Sequence, residues 1–128
     1  MNEGRENVIV SKSYAFALEI INVYKFLCST PKEYVLSKQL LRSGTSKGAN
    51  VNEAMSSESK RDFIHKLGIA LKEARETSYW LYLLKDAQYL NPDEANKIIN
   101  LCKELIRIIS SIILTTKQKY FPPKILNS

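Results

Sequence analysis

The stretch Gln39-Leu40-Leu41-Arg42-Ser43-Gly44-Thr45-Ser46-Lys47-Gly48-Ala49-Asn50-Val51-Asn52-Glu53-Ala54 constrains the fold more than any other part of this chain. It carries two glycines four residues apart in a composition that otherwise favours helix. Each glycine costs about 1 kcal/mol relative to alanine inside a helix. Close packing against a second helix offsets that cost, with Leu40, Gly44, Gly48 and Val51 as the contact stripe. A kink near Gly44 is the competing reading. Gln39, Arg42, Ser46, Asn50 and Glu53 also recur at steps of three and four, which makes a polar row on one helical face. An ordered polar row suits a helix that meets another helix or a ligand.

The rest of the sequence extends this helical reading. A chain of 128 residues is one domain, long enough to bury roughly two-thirds of its unfolded surface. It has only four Gly and four Pro and is rich in Leu, Ile, Lys, Glu and Ala. Cys28 and Cys102 both lie in apolar helical patterns. They read as small core residues in a reducing cytoplasm, with a disulfide as the alternative. Residues 1–7 are polar and acidic, unlike a signal peptide. The longest nearly uncharged apolar run, Ile108 to Thr116, is too short to span a bilayer. A cytoplasmic protein without membrane contact is expected.

Four helices are expected, at about 11–29, 31–56, 60–87 and 92–119, with flexible ends at 1–7 and 121–128. Phe16, Ala17, Ile20, Ile21, Tyr24, Leu27 and Cys28 give the first its period. Thr30-Pro31-Lys32-Glu33 reads as a capping box that opens the second. Ser59, with Asp62 three residues on, caps the third. Asn91-Pro92-Asp93-Glu94 opens the fourth, with a cap, a proline at the first position and two acids at the positive end of the helix dipole. Short connections force antiparallel neighbours, so the expected fold is all-α, an antiparallel up-down-up-down four-helix bundle in a single domain. The fourth helix is apolar over more than one stripe, from Ile98 through Leu114. A second apolar stripe facing water marks an interface, so a homo-oligomer is expected.

No catalytic constellation emerges. His65 has Asp62 three residues before it, one half of a carboxylate–histidine metal pattern, but a bundle di-metal site needs a second half and the chain has no other histidine. Neither metal, nor cofactor, nor small-molecule substrate is expected. Glu73 and Glu76 share a face of helix three and could do acid–base work. They read better as partners for Arg42 and for the amides of Gln39 and Asn50, a structural network that fixes helix register. Loss of Arg42 from such a network would cost on the order of 3 kcal/mol. Tyr79, Trp80 and Tyr82 read as packing anchors, with a subunit contact or base stacking as alternatives. The net charge of +6 permits attraction to phosphate backbones. The cations are dispersed over all helices, and Lys60, Arg61 and Lys66 form the densest group.

Two blocks carry a family resemblance. The first is Tyr34-Val35-Leu36-Ser37-Lys38-Gln39-Leu40-Leu41-Arg42-Ser43-Gly44-Thr45-Ser46, continuing through Gly48-Ala49-Asn50-Val51 and Glu53-Ala54. The second is Asp62-Phe63-Ile64-His65-Lys66-Leu67, then Ala70-Leu71-Lys72-Glu73-Ala74-Arg75-Glu76-Thr77 and Tyr79-Trp80-Leu81. In order and spacing the chain resembles the small bacterial four-helix bundle proteins encoded in intervening sequences of large-subunit ribosomal RNA genes. The likeness runs from about Ser11 to Tyr120. It is also similar to the accessory protein of diversity-generating retroelements, a basic pentameric barrel that engages nucleic acid and a reverse transcriptase.

The resemblance implies a bundle that assembles into a ring, most plausibly a pentamer, with no enzymatic activity. It implies a phosphate-contacting role for Lys38, Arg42, Lys66, Lys72 and Arg75. Where the family usually has an aliphatic residue between Ser46 and Gly48, this chain has Lys47, whose added charge slightly weakens the idea that this edge is buried. The function expected is a non-enzymatic, ring-forming accessory protein that binds RNA or DNA through Lys38, Arg42, Lys60, Arg61, Lys66, Lys72 and Arg75. The rival is an oligomeric scaffold for protein partners with no nucleic-acid role.

Overall fold

The caps set the helix register. In a computed structural model that describes residues 2–124, and side chains from residue 4, the chain forms α1 (Asn2–Ser29), α2 (Leu36–Met55), α3 (Lys60–Asp86) and α4 (Pro92–Tyr120). The Asn91 side chain accepts the Asp93 and Glu94 backbone N–H groups at 2.9 and 3.4 Å, and Pro92 follows in the first helical position. Ser59 Oγ accepts the Asp62 N–H at 3.0 Å. Both caps satisfy donors that a helix start leaves free.

The other two starts differ from expectation. α1 begins at Asn2, so the described part of the expected N-terminal tail is helix. α2 begins at Leu36 rather than residue 31. Lys32 has φ 55°, and Glu33 N–H bonds back to the Leu27 carbonyl at 2.8 Å, a left-handed turn that closes α1. Pro31 therefore lies in the turn after α1 and opens no helix. Glu33 does the capping, but forwards: its carboxylate accepts the N–H groups of Val35, Leu36 and Ser37 at 3.2, 3.1 and 2.8 Å. These bonds hold its carboxyl below the usual range against the opposing effect of burial. At the far end, Phe121 to Lys124 leave the helix, and residues 125–128 lie outside the described residues.

The connections at residues 30–35, 56–59 and 87–91 are too short for anything but antiparallel neighbours. Each helix packs on the two beside it, which closes a four-helix bundle. Gly44 explains the approach of α1 to α2. A Cβ there would stand 2.9 Å from both Cγ1 and Cγ2 of Ile20, whereas one at Gly48 would meet the Ser13 backbone at an ordinary 3.5 Å. The helix runs through both glycines without a break.

The core draws on all four helices: Phe16, Ile20 and Leu27 from α1, Leu40 and Val51 from α2, Leu67, Ala70, Leu81 and Leu84 from α3, and Ile99, Leu105 and Ile109 from α4. Each such large side chain contributes roughly 1.5–3 kcal/mol on burial. Most of the apolar surface of α4 is used here. Ile106, Ile108 and Ile113 are partly buried, and Leu101 and Leu114 remain exposed. Cys28 and Cys102 are both free thiols.

Candidate functional site

The polar row of α2 meets α3 at two places, through Arg42 near its start and through Glu53 at its end. Arg42 donates to Glu73 Oε2 at 3.3 Å and pairs with Glu76 through its other terminal nitrogen. Glu76 also accepts from Trp80 Nε1 at 3.3 Å. Beneath this group the hydroxyls of Ser43 and Thr77 meet at 3.1 Å in a buried contact. Glu73 keeps 14% of its side-chain surface exposed, Glu76 31% and Arg42 51%, so the acids are seated and the cation covers them from solvent. Such a cluster fixes which turn of α2 faces which turn of α3.

The amides do not join it. Asn50 Nδ2 donates back to the Ser46 carbonyl of its own helix at 3.0 Å, and Gln39 is exposed. The Asn50 amide is thus already engaged within one turn of its own helix. Glu53, at the end of the row, pairs instead with Lys66 at 3.2 Å.

Five residues along α2 from Arg42, the structure reverses an expectation. Lys47 is fully buried. Its Nζ lies 3.5 Å from the centroid of the Phe16 ring and has no hydrogen-bond partner. Ser13 Oγ, also buried, is similarly unpartnered. Burial pulls the Lys47 amine down to about 7 from its ordinary 10.5, with the Cys102 thiol acting in the opposite sense. Burial likewise pushes Cys102 up to about 11, opposed by Lys47. The Cys102 thiol donates to the Ala74 carbonyl at 3.2 Å, so it is occupied structurally. Sequence reasoning missed this burial although the signal was present. Leu40, Gly44, Lys47, Val51 and Ala54 follow steps of three and four, and Lys47 stands on the buried stripe.

The remaining cations divide by what they touch. Lys66 is held by Glu53 and Arg42 by the two acids, so neither is a free surface charge. Of the expected nucleic-acid-binding residues, Lys66 and Arg42 are thus the two engaged in ion pairs within the bundle. Lys38, Lys60, Arg61, Lys72 and Arg75 are exposed and make no ion pair among the described residues. His65 is exposed, and no group of three or more His, Cys, Asp or Glu side chains converges among the described residues. Tyr79 is exposed and packs edge-on against the partly buried Trp80, with centroids 5.1 Å apart.

A cavity of about 490 Å³ lies along the α1–α4 seam. Val23, Phe26, Ile98 and Leu101 give it an apolar floor, with Glu19 and Lys97 at its margin. It brings together no pair of groups suited to acid–base or nucleophilic chemistry.

These features define a class: an antiparallel helical bundle stapled by a polar seam, with no assembled catalytic group among the described residues. The chain belongs to the 23S rRNA-intervening sequence protein family, whose sequence model matches residues 5–111. It is similar to a crystal structure from Bacteroides thetaiotaomicron, described as a protein of unknown function from the S23 ribosomal protein family. The two share 50% identity over 86% of this chain and 98% of that one, with a TM-score of 0.85. No curated protein matches the sequence. Among the described residues no helix is long and apolar enough to cross a membrane.

Proposed function

We propose that this chain is a non-enzymatic accessory protein that forms a ring of five copies and binds RNA or DNA through phosphates. The observation that carries the reading is the set of exposed cations left without ion pairs: Lys38, Lys60, Arg61, Lys72 and Arg75. Glu73 and Glu76 pair instead with Arg42, Glu53 with Lys66 and Glu104 with Lys12. Free cations on a chain of net charge +6 attract polyanions, and five such chains in a ring would sum to about +30. The family's link to ribosomal RNA intervening sequences fits an RNA partner.

Assembly has its own support. Val8, Phe26 and Leu101 are large apolar side chains left exposed along the α1–α4 seam, and Leu114 lies further along α4. Exposed apolar surface of this kind suits a second copy of the chain. The same seam also favours the rival reading, a scaffold that binds a different protein.

Two measurements separate them. Light scattering at tens of micromolar protein should give a closed oligomer, and a stable monomer there overturns the ring. A gel-shift titration at low salt should retard RNA and duplex DNA with little sequence preference. No retardation at micromolar protein favours the scaffold.

A further inference from the structure

At one end of the bundle the start of α3 and the end of α4 come together, and there cations and aromatic rings interleave. Lys60 Nζ lies 5.0 Å from the Tyr120 ring centroid and 5.6 Å from that of Phe63. Arg61 lies 5.2 Å from the Phe121 centroid, and Lys119 lies 5.3 Å from that of Tyr120. A shallow cavity of about 270 Å³ opens between Arg61 and Ile64 on one side and Lys117 and Phe121 on the other. Tyr120 and Phe121 are each 41% exposed. Lys60, Arg61, Lys117 and Lys119 make no ion pair among the described residues. Glu58 and Asp62 are the acids next to them in sequence, and neither forms an ion pair among the described residues.

Core packing does not account for this arrangement. Both large rings lie past the last buried residue of α4, Thr116. Leaving them in water exposes apolar surface to no structural benefit. Cations at the end of α4 do complement its dipole, which accounts for Lys117 and Lys119 but not for the aromatics or for Lys60 and Arg61. Exposed rings flanked by unpaired cations are what single-stranded nucleic acid needs: a flat face for an unpaired base and positive charge for the phosphates on either side. A duplex keeps its bases stacked inside and cannot offer one to an exposed ring.

We infer that the α3-start and α4-end cluster, with Tyr120 and Phe121 as stacking platforms and Lys60, Arg61, Lys117 and Lys119 as phosphate contacts, is a site for single-stranded nucleic acid. The inference rests on the nucleic-acid reading above and narrows it to unpaired bases at one end of the bundle. Each protomer of a ring would carry one copy of the site.

The test compares the full-length parent with Tyr120→Leu plus Phe121→Leu, which keeps apolar bulk but removes the rings, and with Lys60→Ala plus Arg61→Ala plus Lys117→Ala. Binding of a short fluorescent single strand and of a duplex of the same sequence is followed by anisotropy, with helix content checked by circular dichroism. The parent should prefer the single strand. The ring-less variant should lose about tenfold or more in single-strand affinity while its duplex affinity holds. The cation variant should weaken both and lose salt dependence. A parent that binds single strand and duplex equally, with the ring-less variant unchanged, overturns the stacking site and leaves the wider nucleic-acid reading standing. A parent that binds neither overturns both.

Discussion

Arg42 and Lys47 are two cations on the same helix, and the bundle treats them in opposite ways. Arg42 stands at the edge of the α2–α3 seam, half exposed, with two carboxylates in reach. Lys47 is turned into the core, with an aromatic ring against its amine and no acid partner. A cation shared between water and carboxylates keeps its charge cheaply. One taken out of water without a counter-ion lowers its pKa instead. Contact with a ring contributes on the order of 2 kcal/mol when desolvated, well short of the cost of burying a bare ammonium. The two residues show that sign of charge alone does not mark a functional surface here. What a cation touches decides whether it is structural, silent or free.

The sharpest way to break this comparison is to remove the buried amine. Holding an amine of ordinary pKa 10.5 at about 7 costs the fold on the order of 4 kcal/mol at neutral pH or below. Lys47→Met keeps an unbranched chain against Phe16 and deletes that cost. The variant should therefore be more stable by roughly 3–5 kcal/mol in urea at pH 7. A variant that is no more stable than the parent would show that Lys47 reaches water or a partner.

The same amine should write itself into the pH dependence. The unfolded chain holds the Lys47 proton up to about pH 10.5, and the folded chain only to about 7. Between these values unfolding takes up a proton, so stability rises as pH rises. Cys102 works the other way above pH 9, where the unfolded thiol ionises while the folded one holds its proton to about 11. The clean window is pH 7 to 9, with a gain on the order of 2 kcal/mol. Urea midpoints should climb across it in the parent and stay flat in Lys47→Met.

Two glycines give a smaller effect of opposite sign. Gly44→Ala drives a methyl into the stiff, β-branched Ile20, and overpacking of this kind costs roughly 1–3 kcal/mol, more than the helix-propensity gain. A Cβ at Gly68 meets nothing within 4 Å, so Gly68→Ala should stabilise by up to about 1 kcal/mol. Thermal melts that rank the two variants the other way would refute the account of α1–α2 contact.

Arg42→Ala comes last. Its guanidinium is half exposed, which brings the expected loss down from the sequence-based 3 kcal/mol to on the order of 1 kcal/mol. Glu73, the better buried acid, carries most of it. A double-mutant cycle with Glu73→Gln should return a coupling of about that size, and a coupling of zero would mean that Glu73 does not hold Arg42 and that Glu76 is its working partner.

What was legible in the sequence was local. Asn91 and Ser59 cap helices because a side-chain oxygen two or three residues from a free N–H decides the matter by itself. The start of α2 misled for the same kind of reason. Thr30-Pro31 is a plausible cap in isolation, but Lys32 takes a left-handed conformation to end α1, and that choice belongs to the turn as a whole. Arg42 and its acids could be read because both rows recur at helical spacing and carry opposite charge. Lys47 also had the spacing, on the stripe of Leu40, Gly44 and Val51. Its charge slightly weakened the reading from position, and the packing of α1 against α2 shows that position decides. The cluster of Tyr120 and Phe121 with Lys60 and Arg61 joins residues from opposite ends of the α3–α4 pair. No short-range pattern could have revealed it.

The central claim is that the free surface cations, not the buried one, make this bundle a polyanion binder. It is tested by the salt dependence of RNA affinity in the parent, in Lys60→Ala plus Arg61→Ala plus Lys72→Ala, and in Lys47→Met. The account predicts a steep fall of affinity with salt in the parent, a flatter slope in the surface variant and an unaltered slope in Lys47→Met. A parent without salt-dependent binding, or a surface variant with the parent's slope, would contradict it.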